Sequence, residues 1–121
     1  MIRAVVTLPR AAVLTANQRL HWRKRAAMTA VIRQRFAIAA RQGQRIDGPV
    51  RITALLGFPD PGRRRDPNNW APTTKAAVDG LVDGGLLADD SHQHVIGPDH
   101  RLDPEPCPTG HVRITLDLED A

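Results

Sequence analysis

The sequence predicts an α+β fold, a small mixed β-sheet of about four strands backed by two helices. Three observations predict it. The segments Val50–Phe58 and Val112–Glu119 alternate apolar and polar residues with a period of two. Two other segments, about His21–Gln42 and one beginning near Pro72, place apolar side chains at helical spacing. Clusters of Gly and Pro punctuate the boundaries between them. The 121 residues match the size of one domain with one modest core.

In chain order, Ile2–Leu8 is apolar and rich in β-branched residues, closed by Pro9, and reads as a strand. A polar loop, Thr15–Arg19, leads into the first helix. Met28, Ile32, Phe36 and Ala39 share one face there with Val31 beside them, and Arg35 must snorkel outward. Gly43 and Gly48-Pro49 end the segment. Val50, Ile52, Ala54, Leu56 and Phe58 form the inward face of the second strand, opposite Arg51 and Thr53. Pro59–Gly62 is a turn, and Arg63–Asn69 a polar loop. Pro72 suits the first turn of a second helix, whose apolar face is Ala76, Ala77, Val78, Leu81 and Val82 and which Gly84-Gly85 stops. Ser91–Ile96 reads as a weaker strand and residues 97–110, with four Pro and two Gly, as a loop. Val112, Ile114, Leu116 and Leu118 then face inward, with Arg113, Thr115, Asp117 and Glu119 outward. The order is strand, helix, strand, helix, strand, strand.

The formal net charge is +4, and Lys appears only at Lys24 and Lys75, so the positive charge is carried almost wholly by Arg. Guanidinium presents a planar fork to two phosphate oxygens. Aromatics are 3% of the chain and Tyr is absent, which argues against stacking successive bases on aromatic platforms. One cysteine, Cys107, leaves no partner for an internal disulfide and fits a reducing cytoplasm. The N-terminal stretch is too short and interrupted for a signal peptide, and no apolar run approaches the ~20 residues that span a membrane. These features predict a soluble cytoplasmic protein without a membrane partner. His92, His94, His100, Cys107 and His111 match no common zinc spacing.

The carboxylates with a chemical use are Asp66, after three consecutive Arg, and Asp89 and Asp90, after the second helix. A helix of about 12 residues spans about 18 Å, so these groups meet only if that helix folds back on its flanking strands. Clustered carboxylates suit Mg²⁺, which takes oxygen ligands and keeps waters, polarises a phosphodiester and generates hydroxide. Lys75, in the first turn, would stabilise charge on the phosphate. Arg63, Arg64 and Arg65 would hold a nucleic-acid backbone. The plain alternative is that Asp66 is a turn residue before Pro, that Asp89 and Asp90 belong to a solvated turn, and that Lys75–Asp79 is an i,i+4 surface pair.

The stretch RRRDPNNWAPTTKAAVDGLVDGGLLADDS, Arg63 to Ser91, resembles the signature of RusA-type Holliday junction resolvases. That signature is basic residues, an Asp-x-Asp-Asn motif, a Lys, a DGL helix and an L-x-DD turn. NQRLHWRKR, Asn17 to Arg25, is similar to the family's entry into its first helix. The resemblance implies a homodimeric endonuclease of phage type, in the host cytoplasm if phage-encoded, that resolves four-way DNA junctions with Mg²⁺, Mn²⁺ substituting. It implies that Asp66 and Asp90 are acidic metal ligands with Asp89 beside them, that Asn69 is the motif Asn, and that Lys75 is the catalytic lysine. Lys75 lies three residues further along than the pattern has it. Asn68 stands where the pattern has its second Asp; its carbonyl oxygen can coordinate but brings no charge. Asp66, Asp90 and Lys75 are thus the expected catalytic residues, and Asn68 and Asp89 further metal ligands. Arg63, Arg64, Arg65, Asn69, Arg19, Arg23 and Lys24 are the expected DNA contacts. Two alternatives remain open: a junction-binding architectural protein of phage recombination that does not cut, which Asn68 favours, and a small metal-independent DNA-binding regulator.

Overall fold

The computed structural model describes residues 1–41 and 43–121. Strands β1 (Ile2–Pro9), β2 (Val50–Gly57), β3 (Val95–Leu102) and β4 (His111–Asp120) and helices α1 (Trp22–Ala40) and α2 (Ala71–Asp83) follow in the order β1-α1-β2-α2-β3-β4. Short 3-10 turns at Arg10–Ala12 and Pro67–Trp70 precede a loop and α2 respectively. The predicted α+β fold is therefore the observed one. The predicted end of the first helix, at Gln42, lies outside the described residues.

The four strands form one mixed sheet in the order β1-β4-β2-β3. β4 lies between β1 and β2, antiparallel to both, with Val6 opposite Ile114 and Ala54 opposite Leu116. β2 and β3 are parallel and joined through α2, a β-α-β crossover. Both helices contribute to a single core on one side of the sheet, where Ile32 and Phe36 of α1 and Ala77 and Leu81 of α2 join Ile52, Ala54, Leu56, Ile114 and Leu116. The helices approach closely because α2 carries Gly80 and Gly84 one turn apart. A Cβ added at Gly80 would overlap the Arg33 carbonyl oxygen and sit 2.8 Å from Phe36 Cβ.

Three expectations require correction. The third strand does not run over 91–96 with a loop after it; it begins at Val95 and passes through Gly97-Pro98 to Leu102. His92 and His94 lie in a turn before it and do not alternate on a strand face. The reason is a bulge. Arg51 pairs with Ile96 and Thr53 with Asp99, so Gly97 and Pro98 are both accommodated opposite Ile52. Gly97 has φ +101°, and a Cβ there would fall 2.7 Å from the Ile52 carbonyl oxygen, so the position takes Gly. β3 is an edge strand, where Pro is tolerated. Second, Thr115 and Asp117 face away from the helices yet are buried, because β4 is a central strand. Arg3 of β1 lies across Asp117 with bonds of 2.6 and 3.0 Å. Third, Val31 is not part of the buried face of α1: it and Ile38 are exposed, while Ala37 and Ala40 join Ile32 and Phe36 inside.

Among the described residues no helix is long and apolar enough to cross a membrane.

Candidate functional site

The parallel β2–β3 pair directs three connections to one end of the sheet: residues 10–21 after β1, 58–70 after β2 and 103–110 before β4. Their backbones are knitted together. Arg10 N–H donates to Gly110 O (2.9 Å), Cys107 N–H to Phe58 O (3.1 Å) and Ala16 N–H to Asn69 O (2.8 Å). Thr73, fully buried, exchanges hydrogen bonds of 2.7 Å with both backbone groups of Leu14. Arg113 clamps the third connection through Asp103 (2.9 Å) and the Glu105 carbonyl (2.8 Å).

This end sets the start of α2. Asp66 is the cap of the Pro67–Trp70 turn; its carboxylate accepts from Asn68 N–H at 3.0 Å and its carbonyl from Asn69 N–H at 3.1 Å. The turn runs straight into α2, with Pro72 in its first turn. Four residues along from Ala71, Lys75 points to the chain that follows the helix. Its ammonium donates to Asp79 Oδ1 at 2.8 Å and to Asp90 Oδ2 at 2.6 Å. The helix therefore does fold back so that Asp90 reaches Lys75. The Lys75 hydrogen bond, with Asp79 contributing next, holds the Asp90 carboxyl at about 2, well below the ordinary carboxylate range. Hydrogen bonds to Asp79 and Asp90 raise the Lys75 ammonium in turn, so Lys75 and Asp90 face each other as charged groups at neutral pH. Asp89 stands beside it with its carboxylate turned to the Asp90 N–H at 2.8 Å.

Lys75 and Asp90 line a cleft of about 240 Å³ between α2 and β3, together with Ala71, Thr74, Val78, Gly97 and His100. His100 is the residue that sequence reasoning did not place in the site. Its Nε2 lies 2.7 Å from the buried Thr74 Oγ1. The Thr74 hydroxyl has one proton, which it donates to the Ala71 carbonyl at 3.2 Å. The ring must then donate from Nε2, and Nδ1 keeps its lone pair. Burial lowers the His100 pKa, with Asp99 and Asp66 pulling the other way, so the ring is neutral at neutral pH. That Asp66 acts on His100 places the capped turn beside the cleft. The signal available in the sequence was the alternation of Pro98, His100 and Leu102, half-buried, with exposed Asp99 and Arg101; Gly97-Pro98 disguised it as a loop.

The other expected residues divide. Arg65 is structural: its guanidinium pairs with the Asp60 carboxylate, donates to the Asp60 carbonyl at 2.9 Å and lies 3.9 Å over the Phe58 ring. Arg63 and Arg64 are exposed on the same loop, with no carboxylate within ion-pair distance among the described residues. Asn69 fastens the loop through its backbone, and Asn68 is exposed. Arg19, Arg23 and Lys24 sit at the start of α1, exposed and outside the cleft; Arg23 lies over the Trp22 ring at 5.2 Å. Among the described residues no three His, Cys, Asp or Glu side chains stand close enough together to grip one ion, so Asp66, Asp89 and Asp90 do not form one ligand cage.

No protein-family model matches the chain, and no curated protein is significantly similar to it.

Proposed function

We propose that the chain is a RusA-like endonuclease that cuts four-way or other branched DNA with Mg²⁺, working as a homodimer. The observation that carries the reading is the meeting of Lys75 with Asp90, fifteen positions along the chain, and with Asp79, one helical turn away. A cleft bearing the Lys75 cation beside Asp90, near a loop with unpaired arginines, suits a phosphodiester.

In this reading Lys75 neutralises the phosphate as charge builds on it, and Asp90 and Asp79 aim the ammonium. His100 Nδ1 accepts the proton of the attacking water, while Thr74 holds the ring. Water oxygen bonds to phosphorus, one P–O ester bond breaks, and the departing oxygen takes a proton from solvent, leaving a phosphate and a hydroxyl at the nick. The candidate ligand atoms are all oxygens, the donor type a hard divalent ion takes, although no three acidic side chains are gathered around one point among the described residues. Asp66 and Asp90 would hold it, with Asn68 and Asp89 adjacent. Bound there, Mg²⁺ supplies polarisation of the phosphate and acidification of water. A twofold junction calls for a twofold enzyme, hence the dimer.

The test is a labelled four-way junction incubated with and without Mg²⁺. Paired, metal-dependent nicks that vanish in Asp66→Asn and Asp90→Asn support the enzyme. The second reading, a junction binder that does not cut, is favoured by Asn68 and by the Lys75 ammonium that already occupies the space between Asp79 and Asp90. It predicts a stable gel shift without nicks, and a gain of cleavage in Asn68→Asp would show a site lacking one charge.

A further inference from the structure

Apart from the Lys75 cleft, a groove of about 520 Å³ lies where the three connections meet at the sheet end. Arg10, Arg63 and Arg64 stand on its rim with His111. Among the described residues none of the three arginines has a carboxylate within ion-pair distance. The groove's one acid, Asp60, is already satisfied by Arg65. Three uncompensated guanidinium groups converging on one hollow repel one another until an anion enters, and their planar forks suit the oxygens of a phosphate.

One side of the groove is aromatic, beside the paired Arg65 that covers the Phe58 ring. Phe58 is buried and Trp70 packs edge-on against it at 4.9 Å, half-buried, with Trp70 forming one wall. An aromatic wall beneath a cationic rim matches a molecule with a flat ring at one end and a phosphate at the other. The volume lies within the range of small-molecule pockets and is of a size for one nucleotide, far too small for a duplex. A single Trp takes a single base, which differs from the run of rings a single-strand platform needs. Trp70 lines the groove and the next residue, Ala71, lines the Lys75 cleft.

We infer that this groove binds one unpaired nucleotide, its phosphate on Arg10, Arg63 and Arg64 and its base against Trp70. The inference rests on the proposed handling of nucleic acid and adds to it a pocket beside the cutting cleft, where an unstacked base is held. The same chemistry is offered by a free nucleoside monophosphate and by a nucleotide within a strand.

The experiment uses the full chain carrying Trp22→Phe, which removes the exposed Trp and leaves Trp70 as the reporter. Trp70 fluorescence is titrated with deoxyadenosine 5′-monophosphate, deoxyadenosine, inorganic phosphate and a short oligodeoxyadenylate. Saturable quenching by the monophosphate, much weaker with the nucleoside, is expected. Affinity should fall roughly tenfold or more in Arg63→Ala/Arg64→Ala and again in Arg10→Ala, the scale of a lost charged hydrogen bond. These three side chains are exposed and unpaired, so the variants keep the fold, which far-UV circular dichroism checks. Tighter binding of the oligonucleotide assigns the strand as the source; equal binding assigns the free nucleotide. No saturable quenching by either, or quenching indifferent to the arginines, overturns the pocket. A junction gel shift on the same samples separates the two readings: shift without quenching removes the pocket alone, and quenching without a shift removes the junction.

Discussion

Replacing Lys75 by Met keeps most of the side chain's length and its apolar stem and removes only the ammonium. The structural consequence is small. The Lys75 side chain is 65% exposed, Asp79 22% and Asp90 34%. The i,i+4 bond to Asp79 contributes about 0.3–0.5 kcal/mol, and the Asp90 bond, screened by water, up to about 1 kcal/mol. Loss of both also leaves two carboxylates facing each other. Together these amount to about 1 kcal/mol, or roughly 4 °C in Tm. The effect on cleavage should be far larger, about 10²-fold or more, the scale of deleting one preorganised charge at a transition state. Urea unfolding and single-turnover cleavage of a four-way junction measure the two on one sample. The pKa of Asp90 is depressed in the fold, so the pair's contribution is present above the unfolded value of about 3.9 and lost as pH falls through about 2. The stability curves of wild type and Lys75→Met should therefore converge near pH 2. A loss above about 3 kcal/mol with a cleavage defect no larger than the unfolded fraction would refute the reasoning and make Lys75 a structural residue.

Three further variants probe the helix contact and the cleft. Gly80→Ala places a methyl against the Arg33 carbonyl and Phe36, so the gain of about 1 kcal/mol in helix propensity is overridden and chemical denaturation should show a net loss of about 1–3 kcal/mol. Gly48→Ala, with nothing within 4 Å, should be nearly neutral in the same measurement. His100 has a depressed pKa, so the unfolded chain binds the proton more readily and stability declines as pH falls below about 6.5; His100→Gln should flatten that slope, and an unchanged slope would show that the half-buried imidazole does not govern it.

Much of the fold was legible because β2 and β4 carry strict alternation and α2 a clean apolar stripe between Pro72 and Gly84. What was not legible has physical causes. Gly97-Pro98 spells a turn to local reading, yet on an edge strand a bulge absorbs it; only the partner strand, through the Ile52 carbonyl, makes Gly97 necessary. The burial of Thr115 and Asp117 follows from β4 being central, a fact of strand order that β4's own residues do not contain. The exposure of Val31 and Ile38 follows from where α2 lies on α1, set by Gly80 and Gly84. At the site, the identities of Asp66, Lys75 and Asp90 stood out by their pattern, whereas the Lys75–Asp90 contact depends on the fold-back after α2. His100 was hidden with its strand. Arg65 looked like its neighbours Arg63 and Arg64, and only Phe58 and Asp60 distinguish it.

The most direct test of the central claim is the fate of a labelled four-way junction with the purified protein in Mg²⁺. Paired nicks in opposing strands are expected, lost in Asp90→Asn and Lys75→Met while the junction is still bound. A stable complex that yields no nick at any divalent metal would contradict it.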